Sequence, residues 1–246
     1  MEDTPVQPSS FLVDAPFGKW SLDTARNQCT STPHGFITVL RGQDYMVKLF
    51  YHDEEVKKEL SWMKLAGNCS VTPVGRVFKL GWFSNTLCGL VMPHFTSPIH
   101  YIPSDHPNVL AVDVTKETKL KISIIYQLRN LVSRLHKNHI IHGDIIPSNL
   151  LICSNTKELR LSNFRSTCHQ NAARAPKDVS WRYVSPYVAQ QLLQAPDSVP
   201  VSIERDLYAT GVSMWEIYTG RILFGDLNEQ GIKEQLRTVY RHHFAH

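Results

Sequence analysis

The apolar residues of this chain change their period near residues 93–98, and that change restricts the fold more than any other feature. Before it they come in short β-rich runs. Residues 36–40 and 45–50 flank the turn formers Arg41-Gly42-Gln43-Asp44, and strands are expected again within 71–82 and 87–92. One helix interrupts them, 53–66, with Val56, Leu60 and Met63 at helical spacing and Gly67 as its stop. After Pro93 and Pro98 the longer segments are helical. Residues 117–137 carry Ile124, Leu128, Leu131 and Leu135 on one stripe and end on basic residues, which suits a helix C-terminus. Residues 206–218 are apolar nearly all round and are expected in the middle of a helical layer, and 228–242 form a last amphipathic helix. Strands first and helices after give an α+β, bilobal plan. Residues 1–20 are expected as a flexible tail, 21–92 as a β-rich N-lobe with one helix, 93–98 as a hinge and 99–246 as a helical C-lobe.

Composition excludes several classes. A chain of 246 residues, 42% hydrophobic and 20% charged, can bury a sizeable core. The net charge is only +4, and the cations of 116–137 read as the wet face of one helix, so nucleic acid is not an expected partner. The N-terminus has no apolar signal region, and no run reaches the ~18 apolar residues of a membrane helix. The five cysteines are scattered and odd in number. Together these imply a reduced, intracellular protein, cytoplasmic or nuclear, off the membrane.

The chemistry-bearing residues cluster after residue 140. His142-Gly143-Asp144 is followed five residues later by Asn149, then by two short apolar runs, 150–153 and 159–161, and by Asn163-Phe164-Arg165. Residues 165–180 are polar and Ala-rich and are expected as a mobile loop. Lys48 lies among apolar strand residues: either its head reaches solvent or it serves a phosphate. Glu59 either solvates its helix or faces Lys48. Two histidine groups, His136/His139/His142 and His242/His243/His246, could hold a metal. The break expected near Asn138 argues against a shared face for the first. Cys153 in an apolar strand reads as core.

These segments, in this order, resemble the protein kinases. Tyr45-Met46-Val47-Lys48 looks like the V-A-I-K strand, Glu59 falls on the helix that supplies the lysine's partner, and His142-Gly143-Asp144 with Asn149 looks like H-R-D-x-x-x-x-N. Asn163-Phe164-Arg165 occupies the D-F-G place. Residues 181–187 look like the segment ending in A-P-E, and Asp206-Leu207-Tyr208-Ala209-Thr210-Gly211 is similar to the start of the central buried helix. The wording of the central loop also resembles small kinase-like proteins of fungi. The likeness covers roughly 30–240. It implies Asp144 as a base, and Lys48, its partner Glu59, Gly35, Met92, Pro93 and His94 beside a nucleotide. It also implies Asn149 and Asn163 as metal ligands, for ATP and Mg²⁺. Met63, His142 and Phe164 match an internal apolar column, anchored by Asp206 beneath His142.

The departures from the pattern fall on phosphate and metal. Asn163 stands where the metal-binding aspartate should be and brings no charge to a hard dication. Arg165 replaces the glycine after Phe164, Ile146 the lysine after the base, Thr30 and Thr32 the first two loop glycines, and Tyr187 the glutamate of A-P-E. Gly143 removes the arginine that reads a phosphorylated loop. The C-lobe is expected to be truncated. The resemblance therefore implies a pseudokinase acting by protein binding, with weak or no ATP binding. The alternatives are a weak or atypical Ser/Thr kinase and a fragment dependent on a partner.

Overall fold

The computed structural model describes residues 11–15, 18–22, 29–32, 35–39, 45–80, 85–93, 95–96, 114–153, 156–172, 175 and 178–244. The chain divides into two compact units, the first comprising residues 1–67 and 71–94 and the second 68–70 and 95–246.

The first unit is a seven-stranded sheet with one helix. Its strands are β1 (Phe11–Ala15), β2 (Gly18–Leu22), β3 (Cys29–Thr32), β4 (Gly35–Val39), β5 (Tyr45–Phe50), β6 (Gly75–Lys79) and β7 (Thr86–Pro93), and each neighbouring pair is antiparallel. The order is β2-β1-β6-β7-β5-β4-β3. Val13, Val47, Leu49, Val77, Cys88 and Val91 meet in one apolar cluster, as alternation along strands with one buried face requires. Two expectations are corrected here. Within the tail expected over 1–20, residues 11–15 and 18–20 belong to strands: β1 pairs with β6 in the register Phe11↔Lys79 to Asp14↔Arg76, so the hairpin β1–β2 extends the sheet. The strand expected over 71–82 is confined to Gly75–Lys79 among the described residues.

Helix α1 (Asp53–Ala66) has the expected bounds. Asp53, Glu54 and Glu55 occupy its first turn and Lys64 its last, matching the helix dipole, and Gly67 takes φ 53° where the helix ends. Val56, Glu59, Met63 and Ala66 are its buried residues.

In the second unit, β8 (Phe95–Thr96) joins β10 (Leu150–Cys153) and β11 (Leu159–Leu161) in a small antiparallel sheet. Helix α2 (Val114–Lys137) buries Ile124, Leu128, Leu131, Val132 and Leu135, and β9 (Ile140–Ile141) follows it. Helix α3 (Pro186–Gln194) packs with α5 (Glu229–Phe244) through Ala189, Leu192, Ile232 and Leu236. Helix α4 (Ile203–Thr219) is capped by the Ser202 side chain and packs on α2.

Two further corrections belong to this unit. The segment after Phe164 is not simply a mobile loop. Residues 164–166 form a 3-10 turn, and β12 (Cys168–His169) pairs with β9 as Cys168↔Ile141 and His169↔Ile140. Nor is α4 buried on all sides, since Leu207, Trp215 and Tyr218 are exposed. No helix among the described residues is long and apolar enough to cross a membrane.

Candidate functional site

In the first unit, β5 and α1 hold one ion pair. Lys48 Nζ lies 2.9 and 2.8 Å from the two carboxylate oxygens of Glu59. The pair is nearly out of water, the side chains being 16% and 4% exposed. Lys48 Nζ also stands 4.8 Å from the Phe50 ring centroid, a cation–π contact that further fixes the ammonium. The pairing that the sequence left open is therefore formed. Met92 is buried on β7 opposite Met46, and Pro93 is half-buried opposite Tyr45. His94 lies outside the described residues. Gly35 pairs with Phe50 across β4–β5, and a Cβ there would fall 1.8 Å from the Leu49 carbonyl oxygen. Close approach of two strands thus requires this glycine, independently of any phosphate.

The second unit gathers Asp144, Asn149 and Asn163. After Pro147 the chain makes a single 3-10 turn, Pro147–Asn149, which swings the Asn149 side chain back to donate to the Asp144 backbone carbonyl at 2.9 Å and to Asp144 Oδ2 at 2.8 Å. Asn163, at φ 63° and ψ 60°, sits in the left-handed region that asparagine tolerates better than most residues. Its Nδ2 donates to the same Oδ2 at 3.2 Å. Ser180 Oγ donates to Oδ1 at 2.8 Å. Three neutral groups therefore hold the carboxylate, and a carboxylate, with about four lone-pair sites, retains room to accept from an incoming hydroxyl.

Beneath this loop lies a buried anchor. Asp206, 1% exposed, accepts from the backbone N–H of His142 at 2.8 Å and of Gly143 at 2.9 Å, and meets His136 Nε2 at 3.0 Å. His142 contacts the Ser162 carbonyl at 3.0 Å and stands edge-on to the fully buried Phe164 ring, centroids 4.9 Å apart. Gly143 has φ 82°, and a Cβ there would lie 2.7 Å from the Ser166 carbonyl oxygen. The residue in the place of an arginine is therefore glycine because the following segment packs on it.

Four contacts were not read from the sequence. Ser180 on Asp144 had no signal beyond its place in a polar stretch. His136 on Asp206 could have been found from the helical period that brings the end of α2 beside the central loop. Tyr183 Oη donates to Glu216 Oε2 at 2.8 Å; burial first, and the neighbouring carboxylate second, push its phenol far above the usual range. Arg165 reaches Asp178 at 3.5 Å.

The donors fit Mg²⁺ poorly. Asn149 and Asn163 are neutral: with the amide N–H turned to Asp144, each offers a metal only an uncharged amide oxygen. A hard dication is normally held by carboxylates at such a site. Among the described residues no group of three or more His, Cys, Asp or Glu could hold a metal. His136 and His142 are turned to Asp206 and Ser162 rather than to a shared point. The side chains of His243 and His246 fall outside the described residues.

Comparison with known proteins follows the same lines. The family description "Protein kinase domain" matches residues 93–244, more than half of the chain. The serine/threonine-protein kinase ROP17 of Toxoplasma gondii is 29% identical over 115 residues, 46% of this chain and 19% of that protein. The probable serine/threonine-protein kinase gdt4 of Dictyostelium discoideum is 26% identical over 218 residues, 82% of this chain and 12% of that protein. The chain thus spans a fifth or less of these relatives. Among solved structures, a Toxoplasma gondii rhoptry antigen kinase domain superposes with a TM-score of 0.61 at 12% identity. It covers 96% of this chain and 87% of that one. This likeness establishes the fold.

Proposed function

Because the chain belongs to the protein kinase family, with serine/threonine kinases among its relatives, we propose that it is a pseudokinase: a kinase-fold protein that acts by binding a protein partner, with weak or no ATP binding and no efficient phosphoryl transfer. One observation carries this reading. At the place where the family keeps a metal-binding aspartate, Asn163 donates a hydrogen bond directly to the candidate base Asp144. Phosphoryl transfer depends on positioning and on neutralising phosphate charge with metal and cations. Here the metal position is neutral, Ile146 removes a cation beside the base, and Asn163 closes onto the carboxylate by itself. We place the protein in a reducing intracellular compartment, cytoplasmic or nuclear.

A second reading, a weak or atypical Ser/Thr kinase with Asp144 as base, is favoured by the formed Lys48–Glu59 pair and by the Ser180 contact on Asp144. Thermal unfolding with ATP, with and without Mg²⁺ or Mn²⁺, tests the first reading. Ligand at 100 times its Kd adds about 2.7 kcal/mol, so a pseudokinase of this kind shows no metal-dependent shift at millimolar ATP. A rise of several degrees only with metal, together with radiolabelled phosphotransfer abolished by Asp144→Ala, would establish the second.

A further inference from the structure

A polar cavity of about 510 Å³ lies where three segments of the second unit converge. Cys69 Sγ reaches the Leu131 carbonyl at 3.8 Å, and Ser70 bridges Leu161, which sets Asn68–Ser70 against α2 and β11. Gln127 of α2 accepts from the Leu159 N–H at 2.9 Å and donates to the Lys157 carbonyl at 3.2 Å, which ties the end of the β10–β11 hairpin to the same helix. Leu131 and Leu159, both 1% exposed, form the floor. The three walls are thus held by one another.

These walls carry donors with little to receive them. Gln127, Asn130, Arg134 and Lys137 follow one another at intervals of three, four and three residues, one stripe of α2. Asn68 and Arg160 line the same cavity from the other two segments. Among the described residues, the side chains of Asn68, Asn130, Arg134 and Lys137 make no hydrogen bond or ion pair. The carboxylate in the lining, Glu158, is already neutralised, since Arg160 Nη2 donates to it at 2.8 Å. Burial pushes the Cys69 thiol up while the charges of Arg134 and Arg160 pull it down, so both guanidinium groups act on one buried atom. Arg134, Lys137 and Arg160 against Glu158 leave a net charge of +2. A solvated helix face alone would spread such cations; here they converge with unbonded amides in one concavity.

We propose that this cavity binds a phosphorylated serine or threonine carried on a segment of a partner protein. Three considerations select that occupant. A phosphate ester carries about −1.5 to −2 charge near neutral pH and three acceptor oxygens, which matches the surplus of cations and the planar donor fork of Arg134. A single Asp or Glu side chain brings half that charge and leaves one cation unmatched. The Asn68 and Asn130 amides, each both donor and acceptor, suit the peptide groups on either side of the phosphate, whereas no aromatic residue lines the cavity to stack a nucleic-acid base. The inference deepens the partner-binding reading above and rests on it for the protein that bears the phosphate. The two fail separately: a metal-dependent ATP shift would revise the pseudokinase reading without changing phosphopeptide binding at this cavity.

The test is selection of short peptides with a central phosphoserine or phosphothreonine and randomised flanks on the full chain, with Arg134→Gln/Lys137→Gln as the counter-target. The best peptides are then titrated by fluorescence anisotropy beside their unphosphorylated forms. Affinity is expected to fall by about tenfold or more when the phosphate is removed, and as far on Arg134→Gln/Lys137→Gln. On Glu158→Gln it should rise severalfold, because Arg160 is released to the phosphate. All three substitutions fall on exposed side chains, so far-UV circular dichroism and melting temperature should match the parent. The proposal is overturned if no peptide prefers the parent over the counter-target, if unphosphorylated peptides bind equally well, or if Glu158→Gln weakens binding. It is also overturned if inorganic phosphate or inositol hexakisphosphate binds the parent as tightly as the best peptide, which would assign the cavity to a free anion.

Discussion

The Asn163 amide and the Asn149 amide both donate to one oxygen of Asp144, at 3.2 and 2.8 Å. With an aspartate at 163, two carboxylates would stand at that separation with nothing between them, and like charges at such range disfavour each other. Asn163→Asp is therefore expected to lower stability in EDTA by about 1 kcal/mol, a loss of roughly 2–4 °C in a domain of this size. It should also introduce a Mn²⁺- or Mg²⁺-dependent recovery that the parent lacks. Melting curves in EDTA and in metal decide it: an unchanged melting point in EDTA would mean the amide contact is incidental.

Restoring the family arginine should not restore the family's loop. Gly143 has φ 82° and no room for a Cβ against Ser166. Gly143→Arg must adopt a left-handed backbone and displace the Phe164–Ser166 turn, at a cost of about 1–3 kcal/mol. Gly143→Ala should lose most of the same amount, because the first side-chain carbon is the obstacle. Urea unfolding of both variants checks this. An arginine variant as stable as the parent would show that the turn moves freely.

Asp206 is expected to be the costliest single position in the second unit. Its buried carboxylate satisfies two backbone N–H groups and His136. Asp206→Ala leaves two donors buried and unpaired, each worth about 1–3 kcal/mol. Asp206→Asn keeps an acceptor and should lose clearly less. A shift in urea midpoint for the alanine variant no larger than for asparagine would contradict the anchoring role.

How much of this was legible in advance depended on the range of the interaction. The ends of α1 were readable because acidic residues open it and Gly67 closes it, both local signals. The meeting of Asp144 and Asn149 was readable because five residues and a proline confine it. The β1–β2 hairpin was not, because Pro16 and Gly18 break its alternation and its pairing with β6 joins residues about sixty positions apart. The exposed stripe on α4 was misread because apolarity states a preference for burial without saying whether a cover exists. The reasons for Gly35 and Gly143 were likewise invisible, since each depends on a backbone atom contributed by another segment.

Lys48 gives the last test, and one that separates structure from catalysis. Glu59 is almost fully buried, and Lys48 is the cation at both of its oxygens. Removing one partner of such a pair strands the other charge, at roughly 3–5 kcal/mol, whereas replacing both with apolar residues of similar volume is often neutral or better. Lys48→Met should therefore destabilise the chain strongly, and Lys48→Met/Glu59→Leu should recover most of the loss. If so, a lysine in this strand is maintained by the carboxylate opposite it, with no nucleotide required, and its presence alone is no sign of phosphotransfer. If instead Lys48→Met is neutral in the free chain and matters only when ATP is added, the lysine serves a bound phosphate and the weak-kinase reading gains its first direct support.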